Sequence, residues 1–331
     1  MRTALPRLGG RRALVGSIAA VLVTALLLWL LGPWEEESPH GTLTISTGSH
    51  NGVYEAYGRL LQEELRHDMP HLTVRLVSSE GSRQNVERVA TGRVDLTIAA
   101  ADAVQQYRLE HRAGAARLRG CARLYDDYVQ LVVGRLSPIR SLRELRGKRV
   151  AIGPPGSGVR LIAERVLRAA QLDPKVDLHA SPMGIDDMPE ALRHGDIDAF
   201  FWSGGMPTRS VSRLSERYPI RFVPLDSVVD DLHRQGGAAL YYRSTAMPSD
   251  AYPAAQRGVP VPTLAVANLL VTTDRVDPAL TERLTRTLID SRDRIGQKVH
   301  AAQRVDLRTA LYTDPLPLDE GATRYYQSVK P

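Results

Sequence analysis

No other stretch limits the fold of this chain as much as Ile152-Gly153-Pro154-Pro155-Gly156-Ser157-Gly158-Val159. A short apolar run enters it, two prolines fix the turn, glycines free the backbone, and a helical pattern follows from about Arg160 to Ala170. The same strand, Gly/Ser loop and helix recur twice near the start. Leu43 to Thr47 leads through Gly48-Ser49-His50-Asn51-Gly52 into a helix from about Val53 to Arg66, and Leu72 to Val77 leads through Ser78-Ser79-Glu80-Gly81-Ser82 into a helix from Arg83 to Thr91. Further strands are expected at Val94 to Ala99, Tyr128 to Gly134, about Asp177 to Ala180, Ile197 to Phe201, Arg221 to Leu225 and Leu264 to Thr272. Helices are expected at Met188 to Arg193, after Pro207 to about Arg217, and from Pro278 to about Val299. Strands alternating with helices predict parallel α/β sheets, in which ligands sit at the carboxyl ends of the strands, where these loops lie.

A helix that starts straight out of such a loop points unpaired N–H groups and the positive end of its dipole at whatever lies in front, so an anion is the natural guest. Nucleotide phosphates would call for Gly-Lys-Ser/Thr after the turn, and here Gly158 is followed by Val159 and Arg160. A purely structural turn is the competing reading.

At 331 residues and 43% hydrophobic residues the chain can build two lobes. Its formal charge of +6 is scattered and aromatics make up only 5%, which argues against a nucleic-acid partner. The densest basic stretch, Arg108 to Arg123, reads as an exposed helix and loop. Cys121 is the single cysteine, so there is no disulfide framework or thiolate metal cluster, and the residue reads as a small buried apolar group. No His-Glu-x-x-His and no Gly-x-Ser-x-Gly follows a strand, so neither an enzyme nor a metal or cofactor site is expected.

The N-terminus carries Arg2, Arg7, Arg11 and Arg12 before a low-polarity run from Ala13 to Gly32, with Glu35, Glu36 and Glu37 after it. A helix of that length matches the roughly 30 Å core of a bilayer, and the charge asymmetry predicts a single-pass anchor with the body outside the cytoplasm. No clear small-x-small cleavage site lies between Leu31 and Gly41, so the anchor is expected to be retained, with signal cleavage as the alternative.

Taken in order, Thr47-Gly48 to Gly52-Val53-Tyr54, Glu80-Gly81-Ser82 with Asn85, Gly92 to Asp95, Gly147 to Val150 with Gly156-Ser157-Gly158, Gly195 to Phe201, Gly205-Met206-Pro207 and Gly321-Ala322 to Tyr325-Tyr326 form one pattern. It resembles the TAXI family, the extracytoplasmic solute receptors of tripartite ATP-independent periplasmic (TRAP) transporters, over residues 42 to 328. The resemblance implies a type II periplasmic-binding-protein fold, with lobe 1 at 41–127 plus 264–331, lobe 2 at 128–263 and residues 1–40 as tail, anchor and linker. It also implies a small carboxylate such as glutamate or a related acid as ligand, and delivery to TRAP permease subunits. Three positions depart from the family pattern: Tyr54 is followed by Glu55, Ala100-Ala101-Asp102 follows the third strand, and Asp126-Asp127 stands at the first crossing.

Ser49, Tyr54, Ser82, Asn85 and Ser157 all fall at strand ends or in first helical turns, where hydroxyl and amide groups can converge on a polar guest; helix capping is the alternative role. The expected ligand-binding set adds Gly48, Gly81, Asp102, Gly158, Trp202, Ser203 and Gly204, with Arg83 or Arg160 as candidate partner for a ligand carboxylate. A membrane-tethered sensor feeding a histidine kinase is the alternative to transport.

Overall fold

The computed structural model describes residues 39–329. The strands are β1 Gly41–Ser46, β2 Leu72–Val77, β3 Leu96–Ala100, β4 Leu118–Gly134, β5 Arg149–Ala151, β6 His179–Ser181, β7 Ala199–Gly204, β8 Ile220–Val223, β9 Arg243–Met247 and β10 Val261–Thr273. The helices that matter to the site are α1 Val53–Asp68, α2 Ser82–Ala90, α3 Ala101–Leu109, α4 Gly158–Ala169 and α5 Met188–His194. Later come α6 Arg209–Arg217, α7 Val229–Gln235, α8 Pro253–Gln256, α9 Pro278–Asp290, α10 Arg292–Gly296, α11 Leu307–Ala310 and α12 Glu320–Ser328.

All ten strands join one sheet in the order β2-β1-β3-β10-β4-β7-β5-β6, with β8 on β4 and β9 on β10. Its two ends are parallel, as the alternation predicts: β2-β1-β3 on one side and β7-β5-β6 on the other. The middle corrects the expectation of parallel sheets, because β4 and β10 run antiparallel to each other and to their neighbours β7 and β3. Residues 126–128 and 262–265, where the chain is predicted to cross between lobes, lie in these two strands, with Ala265 paired to Tyr128 and Val266 to Asp127.

Three local readings also change. The basic stretch expected as helix and loop is strand from Leu118 on, its arginines held at the sheet surface by Asp274 and Asp126. The long C-terminal helix is interrupted at Ser291, whose hydroxyl bonds back to the Leu288 carbonyl, and it ends at Gly296. The stretch from Ala239 to Val261, whose tyrosines and prolines predict a connection without a strand, contains β9.

Helix α1 buries Tyr57, Gly58, Leu61 and Leu65 on one face, the spacing of an amphipathic helix. Gly58 permits its approach to the sheet, since a Cβ there would stand 2.6 Å from Thr47 Cγ2. That face joins a core with Leu43, Ile45, Leu284 and Tyr325. The second core packs Leu131, Val132, Phe200 and Ile162, and it also takes in Val86, Val104 and Tyr107 from the other end of the sheet. The apolar run 13–32 lies outside the described residues; among the described residues no helix is long and apolar enough to cross a membrane.

Candidate ligand cavity

The loops after β1, β2, β5 and β6 and the end of β7 enclose a cavity of about 600 Å3. Two of the predicted helix starts meet directly: the Gln84 N–H donates to the Gly156 carbonyl at 3.1 Å, and a Cβ on Gly81 would lie 3.5 Å from the Gly158 nitrogen. Gly81 holds φ at 124°, a conformation open to glycine, and this lets the chain turn sharply into α2. At the exposed edge, the Asn51 amide donates to Asp186 at 2.6 Å.

Gly48, Ser49, Tyr54, Gly81, Ser82, Asp102, Ser157, Gly158, Trp202, Ser203 and Gly204 all border this cavity. Asn85 does not. It is fully buried behind the wall, accepts from the Ser46 and Ser79 hydroxyls at 2.7 Å, and donates to the carbonyls of Thr47 at 2.6 Å and Ile98 at 2.9 Å. Its work is to brace the loops.

The two arginines expected to hold a carboxylate are also displaced from the cavity wall. Arg160 turns along its own helix and pairs with Glu164 at 2.9 Å, one turn further on. Arg83 likewise borders no part of the cavity. The guanidinium that does border it is Arg88, and its Nη1 already donates to the Ser78 carbonyl at 2.7 Å and the Ser46 hydroxyl at 3.2 Å.

Several of the expected polar contacts are committed as well. Ser157 caps α4, accepting from the Arg160 N–H at 3.0 Å and donating to the Pro154 carbonyl at 2.8 Å. Ser82 accepts from the Ala100 N–H at 3.1 Å and lies 3.0 Å from the Tyr54 hydroxyl. The Trp202 indole N–H is held by Thr208 at 2.9 Å, which fixes the ring in the wall. By contrast, α1 and α2 start without a side-chain cap. Their first turns keep the dipole end that favours an anion and, apart from the Gln84 N–H taken by Gly156, their donor groups.

The strongest electrostatic feature is a residue that the sequence marks only as a departure from pattern. Asp127 borders the cavity, is 4% exposed, and leaves Oδ1 without a partner. Burial pushes its carboxyl up to about 7, and the nearby Asp126 and Asp102 charges add to the shift. The Tyr54 hydroxyl links it to the wall, lying 3.4 Å from Asp127 Oδ2 and 2.5 Å from Asn268 Oδ1. Burial, then the Asp127 charge, hold that phenol well above its usual range, so it stays neutral. The signal was available in the period of the strand. In β4 Tyr125, Asp127 and Val129 share one buried face, while Asp126 points the other way and pairs with Arg123 and Arg243.

Asp102 is held differently. It accepts from Tyr242 at 2.6 Å and from Arg165 at 3.2 Å, and Arg165 also donates to Tyr242 and Gln106, at 3.0 and 2.6 Å. This buried cluster ties α3 to α4 beneath the cavity. Among the described residues no three His, Cys, Asp or Glu side chains are grouped to hold a metal ion.

A mixed α/β sheet with a solute-sized cavity walled by strand-end loops from both of its parallel ends is the architecture of the periplasmic-binding-protein-like fold. The chain belongs to the NMT1-like family, whose model matches residues 45–329. Among solved structures it is similar to PhnD1 from Prochlorococcus marinus (MIT 9301) in complex with methylphosphonate, at 13% identity and a TM-score of 0.53, over 80% of this chain and 90% of that one. It is also similar to a putative L-cystine ABC transporter from Listeria monocytogenes, at 14% identity and a TM-score of 0.50, over 80% of this chain and 98% of that one. At these identities the likeness is one of fold.

Proposed function

We propose that this protein is an extracytoplasmic solute-binding component of a membrane transporter, holding a small polar solute in the cavity and closing around it. The observation that carries this reading is the cavity itself, whose wall is built from loops that the sequence singles out at both ends of the sheet. Family membership and fold support it. Lobes at 41–127 plus 264–331 and at 128–263, hinged where β4 and β10 pair, would let the cavity open and shut. In the finer reading the partner is a TRAP-type permease, as the TAXI resemblance implies, and the solute carries a carboxylate at the uncapped starts of α1 and α2. Calorimetric titration against acids, amines, sulfonates and sugars tests the receptor reading: a saturable one-to-one heat with compaction in small-angle scattering is expected, and no heat from any class refutes it. Uptake of that solute lost on deleting a neighbouring multi-span permease, and kept on deleting any ATPase, is the expected mark of the TRAP form.

A further inference from the structure

A carboxylate site is defined by what neutralises it, and here the cavity is unbalanced. Glu80, Asp102, Asp127, Asp186 and Asp187 border it against a single guanidinium among the described residues, Arg88, whose Nη1 is anchored on the Ser78 carbonyl and the Ser46 hydroxyl. Asp102 has Arg165 and Tyr242, and Asp186 has Asn51. Asp127 has no cation among the described residues: its Oδ1 makes no well-formed hydrogen bond, its Oδ2 meets the neutral Tyr54 hydroxyl at 3.4 Å, and the neutral Asn268 amide beside it offsets its burial only in part. A buried carboxylate in that state costs stability unless something supplies a donor.

We propose that Asp127 is the recognition point for a protonated nitrogen of the solute, so that the site selects amine-bearing acids over plain mono- and dicarboxylates. The solute's anionic end would face the uncapped helix starts and its ammonium would reach the base of the cavity, where Asp127 pairs in register with Val266. The upward shift of the Asp127 carboxyl agrees with this, because a cation beside the carboxylate restores its ionised form. This inference rests on the receptor reading above and adds the chemical class of its ligand.

The test uses matched pairs that differ only in the amino group, L-glutamate with glutarate and L-alanine with propionate, and cadaverine as an amine without an acid. Thermal shift and calorimetry on the full chain near pH 7.5 should give binding by at least one amino acid, with its des-amino partner weaker by about tenfold or more, the weight of one charge-assisted hydrogen bond. Asp127→Asn should erase that discrimination, and its own melting curve certifies that it is folded. Plain acids binding as tightly as their amino partners would overturn the nitrogen assignment and leave the receptor reading standing. So would discrimination that persists in Asp127→Asn, or binding confined to sugars or sulfonates. Silence from every class at millimolar concentration would sink both.

Discussion

Asp127→Asn should stabilise the ligand-free protein, and the gain should grow with pH. The carboxyl titrates near 7 when folded, against an ordinary value of 3.8. With the folded value raised, the native state holds its proton while the unfolded chain releases it, so stability is fully present below about pH 4 and is lost as pH rises through 7. The full penalty is roughly 4 kcal/mol, an upper bound for a group whose surroundings can relax. Between pH 5 and 8 the wild type should lose about 2–3 kcal/mol that the variant keeps. Of the groups facing Asp127, the Tyr54 and Tyr125 phenols stay neutral over this range in both proteins, because burial is the larger cause holding them high and the variant removes only the smaller Asp127 charge; the Asp102 and Asp126 charges repel that of Asp127, so relief of this repulsion is part of the gain in the variant. Urea denaturation at a series of pH values measures this, and the difference corresponds to a Tm gap on the order of 5–10 °C at pH 8. The offset of the substitution itself is constant, so the test is the slope. Parallel stability profiles would mean that Asp127 is solvated in the free protein and titrates normally, which refutes burial as the force on its carboxyl. An amine-bearing ligand should reverse the trend, because it binds the ionised carboxylate.

Arg165→Met should cost about 3–5 kcal/mol, because it leaves Asp102 as an uncompensated buried charge; a urea midpoint within error of wild type would show that the cluster is wet. Asn85→Ala strips partners from two hydroxyls and two buried carbonyls and should cost roughly 2–4 kcal/mol in the same assay, with an affinity loss if the loops it braces also shift. Gly58→Ala drives a methyl against Thr47 Cγ2 and should cost about 1–3 kcal/mol, most of it recovered by adding Thr47→Ser; a double mutant no better than the single would place the strain elsewhere.

The sequence announces the loops far better than the charges. Glycine, proline and serine punctuate the chain because backbone geometry demands them locally, and Gly81, Ser157 and Gly158 therefore point straight to a shared wall. Direction along the sheet is not local. Whether β4 and β10 run with or against their neighbours depends on which strand each meets after a long excursion, and nothing within Leu118–Gly134 records that Val261–Thr273 will lie beside it. The same holds for side-chain direction at a helix start. Ser157, Gly158 and Arg160 sit within one turn, yet the first two face the cavity while Arg160 finds Glu164 four residues on, as the helical repeat makes easy. Asn85 follows the other course, its buried position demanding partners on every side and so removing it from any ligand. Asp127 inverts the pattern. An acidic pair inside a strand looks like surface, and only the two-residue period, with Tyr125 and Val129 on the same face, turns one member inward. A carboxylate that the fold buries without a cation is held against its own stability, and a site that binds a cation is where that cost has a use.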